Sequence, residues 1–307
     1  MDGPLLSFRH FGRGNPRFRR GPSLESVPAP ALVLASIASV QMGSAIAAKL
    51  FDRAGPSGVV WLRLSFGAVI MLALSRPRLR GQSRRALGIA VLFGISLAAM
   101  NWSFYEALSR MPLGPAVTVE FIGPLAVAVA GSRRALDAVW VVLAAAGVLL
   151  LTSGGVSGVT ADGVLLAALA GFFWGCYILL SQRVGRHFPG VTGLSLALAV
   201  GAVLMVPAGL VGAGSRILSG TVLLGAVAVA LLSSVVPYSF ELTALRSLPS
   251  HVFGVLMSLE PAMAALAGVI VLHQHLLPRE YAAIACVVLA SAGATLTARR
   301  GVPVVAD

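Results

Sequence analysis

A chain of 307 residues that is 57% hydrophobic and only 11% charged, with a mean hydropathy of +0.90, lies outside the soluble globular range, where about 25% of residues are charged. The composition is that of a polytopic membrane protein, with the lipid bilayer as its surroundings. A net charge of +12 would suggest nucleic acid only if the basic residues clustered on one soluble face; here they are scattered in short connections between apolar runs, so nucleic acid is excluded as a partner.

Residues 1-29 carry Arg9, Arg13, Arg17, Arg19 and Arg20 among glycines and prolines, the composition of a disordered basic tail. The apolar run that follows is too long for the short core of a signal peptide and reads as a retained first span. A hydrocarbon core of roughly 30 Å needs about 20 apolar helical residues. Runs of that kind fall at 30-51, 56-75, 87-108, 113-131, 135-153, 162-182, 190-211, 220-246, 250-272 and 280-298. They leave no room for a soluble domain. With both termini placed in the cytoplasm, most of the 23 basic residues fall on the inner side, including Arg76, Arg84, Arg85, Arg133, Arg134, Arg183, Arg186 and Arg246, as the positive-inside rule requires. An even number of spans in the inner (plasma) membrane is therefore expected.

The runs repeat. Gly67-Ala68-Val69 echoes Gly201-Ala202-Val203, the stretch Asn101 to Leu125 echoes Val236 to Pro261, and AAAGVLLLT around Gly147 echoes ASAGATLT around Gly293. Pro112 and Pro124 have the same spacing as Pro249 and Pro261. The expected architecture is an all-α polytopic membrane protein: ten transmembrane helices as two inverted five-helix repeats, 30-153 and 162-298, with a cytoplasmic C-terminal tail at 299-307. Five spans is odd, so the second repeat enters the membrane from the opposite side. Inverted repeats are typical of secondary transporters whose binding site lies near the midplane, between interrupted helices. Pro112, Gly114, Pro115, Pro124, Pro249 and Pro261 are the expected helix breaks.

An ionisable side chain at the bilayer centre costs about 2.5–3.5 kcal/mol on insertion scales, so each one needs a partner, a cavity or an escape to the interface. At 1.5 Å per residue, Glu106 and Glu241 lie within a turn or so of a membrane surface and read as interfacial acids. Glu120 lies about 10 Å deep, and Arg63 reaches a similar depth from the same side. The two either form a structural ion pair or leave Glu120 as a substrate or proton site. Glu260, before Pro261, either supports a broken helix or is a cavity acid. Gln41, Asn101, Trp102, Tyr105 and Tyr238 can orient a small polar ligand; equally, such residues bond helices together or mark the interface. Cys176 and Cys286 lie inside apolar runs, as small core residues do. His273-x-His275 makes at best a weak metal site, and HExxH, Walker and GxSxG signatures are absent. No cofactor, no metal and no enzyme chemistry are expected.

Three segments together, SVQMGSAIAAKLF, MNWSFYEALSRMPLGPAVTVEFIGPLAVAV and VPYSFELTALRSLPSHVFGVLMSLEPAMAAL, resemble the amino-acid (threonine/homoserine) exporter branch of the EamA type drug/metabolite transporter superfamily. The motif EF-x-GP at Glu120-Phe121 and Gly123-Pro124, and the matching S-L-EP from Ser258 to Pro261, carry the likeness, which extends over nearly all of Pro30 to Arg300. One departure is Leu272-His273-Gln274-His275-Leu276, where many relatives carry L-G-E-x-L.

The resemblance implies a central cavity and gradient-driven efflux of a small zwitterion. Glu120 is then expected to take either a proton or the substrate ammonium but not both, which couples opposed fluxes. Gln41, Asn101 and backbone N–H groups near Gly114 are expected to take the carboxylate. The rivals are the same fold with another metabolite or a drug as cargo, and, from another class, a membrane-embedded enzyme or a sensor.

Overall fold

The computed structural model describes residues 27–77, 82–130, 135–152, 158–212, 216–244, 247–248 and 250–298. The basic tail up to residue 26, Pro249 and residues 299–307 lie outside the described residues. Everything regular among the described residues is helix.

The first helix, α1 (Ala29–Ser75), is 47 residues long, about 70 Å at 1.5 Å per residue and more than twice the depth of a hydrocarbon core of about 30 Å. It is interrupted at Gly55, whose φ of 65° and ψ of 157° belong to a region essentially reserved for glycine. Pro56 follows, and a Cβ on Gly55 would run into the Gly212 carbonyl oxygen. The first two expected segments therefore share one helical element with a glycine break between them. Next come α2 (Arg84–Leu108), α3 (Leu113–Glu120), α4 (Ile122–Ala130), α5 (Ala135–Thr152) and α6 (Ala161–Gly185). Beyond these lie α7 (Thr192–Leu204) and α8 (Val206–Gly212), which are bent 50° against each other. A continuous run then joins α9 (Gly220–Ala230), a π turn (Leu231–Val235) and α10 (Val236–Ala244). The chain closes with α11 (Ser250–Met257), α12 (Glu260–Leu272) and α13 (Pro278–Ala298).

By length and apolarity, seven helical stretches can cross a membrane, namely α1, α2, α3 with α4, α6, α9 with α10, α11 with α12, and α13, or eight if the bent pair α7–α8 counts as one; Ala138–Leu151 is a shorter apolar stretch. Helix starts are set by local chemistry. Ser83, Thr160 and Ser219 each accept a hydrogen bond from the backbone N–H three residues on, satisfying donors that a first helical turn leaves unpaired.

Packing places α1 at the centre, against α7 to α12. Around it α2 packs on α6 and α7, α3 on α12, α4 on α6, and α5 on α13. The α5–α13 contact is made close by small residues: a Cβ at Gly147 would stand 2.9 Å from the Ala283 carbonyl oxygen, and Gly293 accommodates the Trp140 ring. The largest core cluster runs from Ala45 and Val60 through Leu97 and Val117 to Val229 and Ala264, so both halves of the chain share it.

The departure at 272–276 has a structural meaning. Where the L-G-E-x-L pattern has its acid, the Gln274 side-chain oxygen accepts the Leu113 backbone N–H at 3.1 Å, so it caps α3 from across the fold. Where the pattern has glycine, His273 ends α12 with φ of 52°. That left-handed conformation costs a non-glycine residue about 1–2 kcal/mol. The exposed His273 side chain offsets none of it by burial. His273→Gly is expected to stabilise the protein by roughly 0.5–1 kcal/mol, the strain relief less the entropy of glycine. A higher apparent melting temperature in detergent would bear this out, and a lower one would contradict it.

Candidate functional site

Helix interruptions converge on one cavity of about 160 Å³. Its walls come from α1 (Val40, Gln41, Ser44, Arg63), α2 (Met100, Asn101, Phe104), α3 (Val117, Glu120) and α6 (Trp174, Tyr177), with Ser233 of the π turn, Pro237, Tyr238 and Glu241 of α10, Met257 of α11 and Glu260 of α12. Three carboxylates and one guanidinium therefore face one small space inside apolar helices.

Arg63 is the best anchored of these groups. Its Nη1 donates to the Tyr105 hydroxyl at 3.0 Å, and its Nη2 donates to the Ser233 carbonyl at 3.2 Å. The guanidinium also lies 5.4 Å from the Tyr105 ring centre, within the range of a cation–π contact. That carbonyl is available for a local reason. The π turn and Pro237, which has no N–H, together disturb the helical ladder and leave carbonyl groups for outside donors. Two of them are taken by α1: Ser39 Oγ donates to Leu232 O at 2.7 Å, and Arg63 takes Ser233 O. Arg63 Nε has no hydrogen-bond partner among the described residues, and neither do Gln41 Oε1 and Ser233 Oγ. Gln41 and Ser233 are buried, and all three residues line the cavity.

Glu120 is the last residue of α3, and it is 7% exposed. Its position is fixed by backbone packing. A Cβ on Gly171 of α6 would stand 2.5 Å from the Glu120 carbonyl oxygen, and one on Gly123 would overlap the Gly171 carbonyl oxygen. Phe121 meets the Trp174 ring edge-on at 5.3 Å. Among the described residues no ion pair joins Arg63 to Glu120, so of the two alternatives the direct pair is not formed here; both line the same cavity. Glu260, also buried, opens α12 one residue after the break at Ser258–Leu259. At that break Ser258 shares a hydrogen bond with Ser291 at 2.9 Å, while Glu260 faces the cavity.

Other expectations divide. Gln41, Asn101 and Tyr238 line the cavity. Asn101 spends an amide N–H on Leu97 O at 2.8 Å, and Tyr238 shares a hydrogen bond with Tyr177 at 3.2 Å. Tyr105 is fully buried and holds Arg63 without lining the space. Trp102 does not line it either; its indole N–H donates to Ser57 Oγ at 3.0 Å. Ser57 in turn donates to Glu106, which pairs with Arg110 at 2.8 Å; Arg110 also pairs with Asp162 at 2.9 Å. Gly114 is buried against Ala265, and its neighbour Leu113 gives its N–H to Gln274. One of the N–H donors expected at that backbone is therefore taken by a side chain of the protein itself.

Pro112 precedes α3, Pro115 lies in its first turn, Pro124 lies in α4 and Pro261 in the first turn of α12; Pro249 is outside the described residues. Glu241 is the principal residue that depth alone misplaced. It lines the cavity and accepts the Ser36 hydroxyl at 2.6 Å. The repeat holds the signal for it: the offset that matches Asn101 with Tyr238 matches Phe104 with Glu241, and all four line the cavity.

Residues 161–296 match the EamA-like transporter family. The chain is similar to the threonine/homoserine exporter RhtA of Escherichia coli (strain K12), with 42% identity over 273 residues covering 88% of this chain and 92% of that protein. The exporter of the same name from Salmonella typhimurium (strain LT2) gives the same identity and coverage. A crystal structure of a protein 20% identical in sequence superimposes with a TM-score of 0.61, covering 88% of this chain and 98% of the other, which is a likeness of fold.

The Gly123–Gly171 contact is testable by itself. Gly123→Ala has to push α4 off α6 and is expected to cost about 1–3 kcal/mol, the range for overpacking, seen as a lower apparent melting temperature. Gly88→Ala, on a helical position with nothing within 4 Å of the new Cβ, is expected to cost nothing. Equal behaviour of the two variants would contradict the packing account.

Proposed function

Because the chain belongs to the EamA-like transporter family, we propose that it exports small amino acids of the threonine/homoserine class by proton antiport. Its named relatives are exporters, not enzymes. In this reading each apolar segment on either side of the Gly55 break is one crossing, and the ten crossings form two inverted repeats, 30–153 and 162–298. The cytoplasm then holds both termini, on the side where most arginines lie.

One observation carries the substrate assignment: the cavity offers a fixed cation together with carboxylates that make no ion pair among the described residues. A zwitterion needs that pair of partners. Arg63, fixed by Tyr105 and the Ser233 carbonyl, takes the carboxylate with Gln41 at its side. Glu120 takes the ammonium. A proton and the ammonium compete for Glu120, so outward passage of substrate is exchanged for inward passage of a proton. Glu260 and Glu241 are further acids of the same space. The volume of about 160 Å³ is small beside the roughly 300–1,000 Å³ of pockets for drug-sized ligands, which favours amino acids over drug-like cargo.

The test is counterflow of labelled threonine in proteoliposomes. Arg63→Gln and Glu120→Gln are each expected to weaken threonine binding by about tenfold or more, the value of a charge-assisted hydrogen bond. Glu120→Gln is also expected to lose accumulation driven by a pH gradient. Absence of threonine counterflow in the wild type, or its inhibition by bulky organic cations but not by homoserine, would defeat the substrate assignment. Full gradient-driven accumulation by Glu120→Gln would defeat the coupling role.

A further inference from the structure

Tyr105 is the largest fully buried side chain among the described residues, and it stands behind Arg63 without lining the cavity. We infer that Tyr105 is a positioning residue for the substrate carboxylate, aiming the Arg63 guanidinium without touching the substrate. The inference rests on the proposed assignment of the carboxylate to Arg63.

A guanidinium carries five N–H donors in a planar fork, and that fork recognises a carboxylate best when its plane is set in advance. An arginine side chain has about 2 kcal/mol of rotamer entropy, so an untethered fork gives up part of its binding energy to being ordered. Here the fork is ordered beforehand from two directions. The Tyr105 hydroxyl accepts from Nη1 and the Ser233 carbonyl accepts from Nη2. The Tyr105 ring lies within cation–π range as well. Tyr105 is itself held by ring contacts with Phe51 at 5.7 Å and Phe104 at 6.0 Å. The two acceptors come from different parts of the chain, α2 and the π turn, so the orientation of the guanidinium reports how those parts sit together. Neither acceptor carries a full charge, and the positive charge of Arg63 therefore stays available to a ligand. An acidic side chain at 105 would have neutralised it.

Tyr105→Phe deletes the hydroxyl and keeps the ring, so the packing with Phe51 and Phe104 survives. Threonine affinity is expected to fall about threefold to tenfold, the range for one hydrogen bond, while the transport rate at saturating threonine stays near that of the wild type. Two comparisons separate aim from fold. Threoninol, which has the ammonium and hydroxyl of threonine but no carboxylate, is expected to bind Tyr105→Phe and wild type alike. In an Arg63→Gln background, adding Tyr105→Phe is expected to change threonine affinity no further, because the group it aims is gone.

An equal loss of threonine and threoninol binding would overturn the inference, as would a full further loss in the Arg63→Gln background or unaltered threonine affinity in Tyr105→Phe. Failure of the underlying assignment looks different: there Arg63→Gln itself weakens threonine and threoninol equally. If Tyr105→Phe does not fold, Phe51→Leu, which loosens the ring from behind, is expected to give the same threonine-selective loss, and a nonselective loss would overturn the inference.

Discussion

A guanidinium inside apolar helices has to be satisfied by the chain around it, and most of the organisation near the cavity follows from how Arg63 is satisfied. An isolated charge there is costly, and pairing it tightly with a carboxylate would remove it from use. The chain does neither. It gives Arg63 neutral acceptors, the Tyr105 hydroxyl and the Ser233 carbonyl. The second exists because the π turn and Pro237 disturb the helix between α9 and α10. Gly43 then leaves room for Ser233, since a Cβ there would collide with its hydroxyl. A proline, a glycine and a π turn that look like defects in separate helices are parts of one arrangement around one cation.

Glu120 is fixed by a different device. It closes α3 at a break, and the Gly123–Gly171 approach brings the α3–α4 junction hard against α6. Backbone contact is less compliant than side-chain contact, because interiors are packed close to crystal density. Arg63 is thus aimed by hydrogen bonds and Glu120 by steric contact, and both line one cavity. The serine contacts Ser36–Glu241 and Ser39–Leu232 tie α1 to α10 and the π turn beside that cavity.

Much of this was legible in the sequence, and the limits are physical. Among the described residues the apolar runs fall largely on helix, and the spacing of Pro112 and Pro124 marked the α3–α4 region. Arg63, Glu120 and Glu260 were found because charged residues in apolar runs are conspicuous. Depth along a segment, however, gives no direction around it, and successive helical residues turn by about 100°. Trp102 and Glu241 were misplaced for that reason: one points to Ser57 and the other into the cavity. The capping of an N–H donor beside Gly114 has another origin. Its neighbour Leu113 is capped by Gln274 from far along the chain, and no local pattern announces such a long-range partner. The Gly55 break also hid two expected segments inside one 47-residue helix; with the short apolar stretch Ala138–Leu151 and the bend between α7 and α8, this leaves seven or eight helices long and apolar enough to cross a membrane.

The central claim is that the cavity lined by Arg63 and Glu120 holds a zwitterion in one orientation. A structure of the protein with threonine bound in a lipid environment tests it most directly. The account predicts the carboxylate within hydrogen-bond distance of Arg63 and the ammonium within hydrogen-bond distance of Glu120, with Tyr105 still bonded to Arg63. Threonine held in the reverse orientation, or outside this cavity, would contradict it.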